Sequence, residues 1–228
     1  MNTNFKNLHF PTICVDGFFN DPDSIRNFAL NSEFKYSRDG AWPGKRTDYL
    51  YNFCPDLYEK FCNKFFSVFF NSKKDMGDWR VDAMFQLVEP FSNDPDHIKN
   101  KGWIHRDKAV YSGVVYLTPD INPDTGTSLF QAVDDSYFIK NYEDEVKKSF
   151  YKDGLDVNGL YKETITNHNK MFKETVCFKN IYNRLIGWEG DTPHGVNTFF
   201  AEDLPRLTLV FFVNPVDYNI TPLKRLYI

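Results

Sequence analysis

The hydrophobic period changes near residue 80, and that change limits the folds open to the chain. Before it, Leu57, Phe61, Phe65 and Phe69 recur every four residues, with Glu59, Lys60, Asn63 and Lys64 opposite them. This is the stripe of an amphipathic helix, and it predicts one over "PDLYEKFCNKFFSVFFNS". After it, "RVDAMFQLVEP" puts Val81, Ala83, Phe85 and Leu87 on one side of a strand. "AVYSGVVYLTP" (109–119), "TGTSLFQAV" (125–133), "TVCFKNIYNRLIGWEG", "GVNTFFA" and "PRLTLVFFVNP" continue the strand series. An earlier helix is expected over 22–32, where Asp21 can cap, Pro22 takes the first helical position, and Ile25, Phe28 and Ala29 share a face. Residues 38–50, "RDGAWPGKRTDYL", read as a Pro/Gly loop carrying basic and aromatic side chains.

Residues 134–174 interrupt the strands. Glu143–Lys147 and Asp144–Lys148 are pairs one helical turn apart, which predicts one or two inserted helices. Helices, then strands around a helical insert, describe an α+β chain whose centre is a two-sheet sandwich or barrel. The expected organisation is one domain over 1–228. It has a helical support region at 1–79, a β core at 80–214 and a tail at 215–228.

With 23 Phe and 13 Tyr among 228 residues, the chain can build an aromatic core without covalent staples. Its cysteines, Cys14, Cys54, Cys62 and Cys177, form no Cys-x-x-Cys and read as buried, reduced thiols. A net charge of −4 without a run of Lys and Arg argues against a nucleic-acid partner. The apolar run "LVFFV" is too short to span a membrane, and "MNTNFKNLHFPTICV" lacks the pattern of a signal peptide. A cytoplasmic protein is expected. Its wealth of Asn, Lys, Phe and Tyr points to an AT-rich coding genome, bacterial or viral, in the latter case acting in host cytoplasm.

The segment "GWIHRDKAV" (102–110) is not a kinase catalytic loop. Lys108 stands where Leu is needed, Ser112 where Asn is needed, and no Asp-Phe-Gly follows. If the segment is extended, His105 and Asp107 project to one side and Arg106 to the other. His194, in the turn "GDTPHGVNTFF", is the candidate third ligand. Two imidazoles and one carboxylate suit non-haem Fe(II) and leave half an octahedron open. Further on, "PRLTLVFF" places Arg206 and Thr208 on one strand face. A guanidinium in so apolar a strand is costly to bury alone, so an anion should meet it.

These pieces, "HRD" (105–107), "VYLTP" (115–119), "GTSLF" (126–130), "RLIGW…PHG" (184–195) and "PRLTLVFF" (205–212), stand in one order. In that order they resemble the Fe(II)- and 2-oxoglutarate-dependent oxygenases of the prolyl-4-hydroxylase-like branch. The likeness covers roughly 80–214, with a weaker N-terminal echo in "VDGFFNDPDSIRNFAL". It implies a double-stranded β-helix (jelly-roll, cupin-like) core with the N-terminal helices packed on it. It also implies Fe(II) on His105, Asp107 and His194, and 2-oxoglutarate as cosubstrate with its distal carboxylate on Arg206 and Thr208 beside it. Tyr116 would donate to that carboxylate, and Ser112, Val114 and Tyr116 would line the same pocket. With dioxygen, such an enzyme hydroxylates a substrate, here a peptidyl residue, proline first, or a small molecule. One departure is that Gly126 alone precedes Thr127, where many members have two glycines. The other is a long gap between Asp107 and His194, which the 134–174 insert accounts for.

Two other functions fit parts of this pattern. One is a non-catalytic jelly-roll binding module. The other is a cupin-type metal enzyme without 2-oxoglutarate, against which Arg206 and Thr208 argue. His9, His97 and His168 read as lead-in, solvated and packing residues, and Trp103 and Trp188 as core. The 38–50 loop reads either as a pocket cover or as plain surface.

Overall fold

The computed structural model describes residues 8–69, 79–133, 142–156, 159–202, 204–215 and 226–227. Among these residues, twelve strands form three antiparallel sheets. The large sheet holds β2 (Ile13–Val15), β3 (Lys35–Tyr36), β4 (Lys45–Arg46), β5 (Trp79–Val88), β6 (Tyr111–Tyr116), β9 (Leu185–Glu189) and β11 (Arg206–Pro215). Its order is β2-β9-β6-β11-β5-β4-β3. The small sheet, in the order β10-β7-β8, holds β7 (Thr127–Ala132), β8 (Phe172–Phe178) and β10 (His194–Val196). Strands β1 (Leu8–His9) and β12 (Leu226–Tyr227) pair with each other. Two facing antiparallel sheets with, among the described residues, five helices make the α+β architecture expected from the strand series and the jelly roll implied by the resemblance.

The helices follow the expected periodicity. Asp21 caps α1 (Pro22–Leu30), its carboxylate accepting the Ser24 N–H at 3.1 Å and the Ser24 hydroxyl at 2.5 Å. The short α2 (Leu50–Phe53) leads into α3 (Pro55–Ser67), which buries Leu57, Phe61, Phe65 and Phe66. Residues 70–72 of the expected helix lie outside the described residues. The stripe packs on the odd-numbered face of β11: Phe211 lies 4.9 Å from Phe65 and 5.2 Å from Phe61, centroid to centroid. Leu207, Leu209 and Val213 share this dry aromatic core with Val81, Ala83 and Phe85 of β5. Each fully buried side chain of this kind contributes about 1.5–3 kcal/mol. The even-numbered face of β11 looks the other way, toward the small sheet. There Val210 packs with Met84, Val114, Tyr116, Leu129, Ile186 and Trp188.

The insert contains α4 (Tyr142–Asp153) and α5 (Leu160–Asn169), packed around Trp103, Phe150, Tyr161 and Ile165. Residues 134–141 and 157–158 lie outside the described residues. Four sequence expectations need correction. The insert is shorter at its C-terminal end, because strand pairing with β7 claims residues from Phe172 onward. "GVNTFFA" yields only the short β10, since Thr198–Phe200 leave the sheet. The 38–50 loop contains β4, drawn in by pairing with Leu87 and Gln86 of β5. The four cysteines are free but not buried: Cys14 and Cys177 are exposed on outer strands, Cys54 is half-buried at the N-terminus of α3, and Cys62 is half-buried within it.

Candidate metal centre

Residues 102–110 form no strand. His105 makes a single β-bridge to His194, its N–H donating to the His194 carbonyl at 2.9 Å and the reverse bond measuring 2.8 Å. The expected strand parity is therefore replaced by point contacts. The Asp107 N–H donates to the Gly190 carbonyl at 2.9 Å, and the Gly190 N–H to the Val110 carbonyl at 3.1 Å. Glycines permit this approach. A Cβ at Gly190 would stand 1.9 Å from the Ala109 carbonyl oxygen, and one at Gly102 would stand 2.1 Å from that of Val196. Two distant stretches are thus held backbone to backbone at the point where their side chains meet.

His105, Asp107 and His194 offer three ligand atoms that all lie within 4.8 Å of one another. Asp107 stands between the rings, its Oδ2 3.2 Å from His194 Nε2 and its Oδ1 3.7 Å from His105 Nε2. Each imidazole turns Nδ1 toward a main-chain carbonyl, His105 to Trp103 and His194 to Thr192, both at 2.9 Å. Carbonyls only accept, so Nδ1 carries a proton in both rings, and Nε2 is the atom each ring turns to the cluster. Burial, and then the charge of Lys147, lower the His105 pKa, which keeps the ring neutral and able to ligate. Burial pushes the Asp107 carboxyl up. The imidazoles, His194 foremost, outweigh it and hold the carboxyl well below its usual range. Arg106 is turned out of the cluster and pairs with Asp191 at 3.2 Å. Two imidazole nitrogens and one carboxylate, converging on one cavity, fit a divalent first-row metal.

Arg206 lines the same cavity, which holds about 350 Å³. The residue is 3% exposed. Its Nε donates to the Thr125 carbonyl at 2.8 Å and its Nη2 to Thr127 Oγ1 at 3.4 Å. Among the described residues it makes no ion pair. Burial lowers its pKa, as expected for a guanidinium short of a counter-charge. Ser112 and Val114 line the cavity with it, as period two requires. Tyr116 and Thr208 stand behind the wall. The Tyr116 hydroxyl donates to Thr127 Oγ1 at 3.0 Å, and the Tyr116 ring lies 5.3 Å from the guanidinium carbon. Thr208 is fully buried, and its Oγ1 has no hydrogen-bond partner.

Several wall residues carry no sequence signal of their own. Trp42, Pro43 and Arg46 come from the 38–50 loop, and Lys147 and Tyr151 from α4. Loop and insert touch: a Cβ at Gly40, whose φ is +72°, would stand 1.8 Å from the Lys148 carbonyl oxygen. The two together contribute one stretch of the cavity wall. Two-residue pairing and a glycine contact leave no periodic trace, so only the basic and aromatic character of the loop hinted at it. Trp188 lies 4.7 Å from the His194 ring and Trp103 stacks on His168 at 4.4 Å, so both tryptophans pack and also line the wall. His168 is buried against the Ile104 carbonyl at 2.5 Å, while His97 caps a short turn by accepting the Lys99 N–H. No helix among the described residues is long and apolar enough to cross a membrane.

The fold recurs in solved structures. HygX of Streptomyces hygroscopicus with nickel, 2-oxoglutarate and hygromycin B bound is 11% identical, with a TM-score of 0.55 over 95% of this chain and 88% of that one. A prolyl hydroxylase of Trichoplax adhaerens, in complex with a hypoxia inducible factor peptide fragment, is 12% identical, with a TM-score of 0.52 over 89% and 83%. SnoN, a non-heme alpha-ketoglutarate-dependent epimerase of nogalamycin biosynthesis, is 13% identical, with a TM-score of 0.51 over 91% and 79%. The chain thus has the double-stranded β-helix fold of the Fe(II)/2-oxoglutarate oxygenases. No curated protein matches it in sequence. A family model, described as a family of unknown function (DUF6445), matches residues 3–204.

Proposed function

The chain belongs to the family of unknown function DUF6445, and we propose that this protein is an Fe(II)- and 2-oxoglutarate-dependent dioxygenase that hydroxylates its substrate. One observation carries the reading. A His/Asp/His cluster and a buried guanidinium without a carboxylate partner among the described residues line one cavity. Either feature alone has ordinary structural explanations; together they match the two ends of a chelating oxo-diacid.

His105, Asp107 and His194 would hold the iron, which supplies dioxygen activation with 2-oxoglutarate as electron donor. The carbonyls of Trp103 and Thr192 hold the imidazoles from turning. Arg206 would receive the distal carboxylate through the N–H groups that Thr125 and Thr127 leave free. Tyr116 acts through Thr127, fixing the hydroxyl that Arg206 leans on. Val114, Val210 and Trp188 give the cavity an apolar wall that limits water near the reacting groups. HygX accepts the small molecule hygromycin B and the Trichoplax enzyme a peptide. The loop and insert that wall a cavity of about 350 Å³ favour a small molecule here, ahead of a prolyl residue on a peptide.

The test is to load the purified protein with Fe(II) without oxygen, add 2-oxoglutarate and then oxygen, and assay succinate. Succinate should form and should disappear in His105→Ala. No succinate with any of a panel of substrates, together with unchanged iron binding in His105→Ala, would refute the reading.

A further inference from the structure

The cavity contains more positive charge than the proposed chemistry uses. Fe(II), Asp107, 2-oxoglutarate and Arg206 together sum to zero. Arg46 lies outside that set. It reaches the cavity from β4, its guanidinium carbon 4.7 Å from the Trp42 ring and 5.6 Å from the Phe212 ring. Its Nη2 bonds only the neutral Gln86 Oε1, at 3.2 Å, and it makes no ion pair among the described residues. Its Nε is shielded from solvent and has no acceptor. The indole Nε1 of Trp42 beside it is likewise a buried donor without a partner. Two buried donors without an acceptor thus lie beside a charge whose one hydrogen bond among the described residues goes to a neutral amide, with Asp107 acting on it only through space. Nature seldom leaves such groups buried and unanswered, since each lost bond costs about 1–3 kcal/mol.

We infer that Arg46, with Trp42, is the specificity-determining anchor for an oxyanion on the substrate, a carboxylate or a phosphate, so that the substrate is a small acidic molecule. Geometry separates this anchor from the cosubstrate's. Arg206 opens β11 at its pairing with Val88, whereas Arg46 lies over Phe212, six residues along the same strand. Asp107 and Lys108 share the cavity wall with Arg46. The acidic group would therefore be held on the metal side of the cavity and the rest of the substrate kept near the open coordination positions. A guanidinium stacked between two aromatic rings is also stiff, which suits a positioning role. The inference rests on the proposed oxygenase reading for the identity of the reacting end, but the anion site itself does not need that chemistry.

The experiment uses Zn(II) as an inert metal. The full chain is loaded with Zn(II) and saturating 2-oxoglutarate, and three probes are compared by ligand-observed NMR: benzoate, benzamide and inorganic phosphate. Wild type should bind benzoate or phosphate about tenfold more tightly than benzamide, the size of one charge-assisted contact. Arg46→Gln should erase that preference and keep 2-oxoglutarate affinity, Arg46→Lys should keep part of the preference, and Arg206→Gln should do the reverse of Arg46→Gln. Preference for benzoate over phosphate, or the opposite, tells which oxyanion the site takes. An unchanged benzoate-to-benzamide ratio in Arg46→Gln overturns the inference, as does a loss of 2-oxoglutarate affinity in that variant. Absence of any 2-oxoglutarate binding in wild type would instead count against the oxygenase reading alone.

Discussion

The two faces of β11 share one backbone and differ in everything else. On the odd face, Leu207, Leu209, Phe211 and Val213 are buried against helix aromatics, with no polar atom to satisfy. On the even face, Arg206 and Val210 line a cavity with Thr208 behind its wall, and among the described residues the guanidinium lacks a counter-ion and the Thr208 hydroxyl lacks a partner. Alternation along a strand makes this possible, because each residue is committed to one side only. One face holds the fold and leaves the other free to keep poorly satisfied polar groups. Stability and chemistry should therefore respond to different substitutions on the same strand.

The odd face should give the largest effect. Phe211→Ala removes a ring packed on Phe61 and Phe65 and should lower unfolding free energy by about 3–5 kcal/mol in denaturant titrations. If the faces are independent, the surviving folded fraction keeps its metal affinity. Asp107→Ala should do the opposite. Metal affinity measured by calorimetry should drop by more than about 100-fold, beyond the usual cost of losing a supporting partner, while the fold persists. Next comes Arg206→Gln, which should weaken 2-oxoglutarate by about 10–100-fold and leave metal affinity in its absence unchanged. Thr208→Val is the smallest. Its Oγ1 is already unpartnered, so the melting temperature should stay within a few degrees or rise. A fall in 2-oxoglutarate affinity in that variant would move Thr208 from behind the wall into the binding surface.

The odd face was the more legible in the sequence. Leu57, Phe61 and Phe65 at helical spacing, and Val81, Ala83 and Phe85 at strand spacing, are buried as periodicity requires. The even face was legible only where chemistry marks it. His105, Asp107 and His194 do converge, yet a single bridge and two close glycine approaches bring them together, which no period encodes. Arg46 was invisible for a related reason. Its direction depends on a two-residue pairing with β5 that tertiary contact alone creates. Cys14 and Cys177, expected inside, are exposed, because a thiol carries too little apolar surface to dictate its side of a strand.

Equilibrium dialysis of the purified chain against Fe(II) under argon, with and without 2-oxoglutarate, tests the arrangement of the even face most directly. The expected result is about one iron per chain, held more tightly when 2-oxoglutarate is present and lost in His194→Ala. Iron retained in His194→Ala, or iron binding indifferent to 2-oxoglutarate, would contradict it.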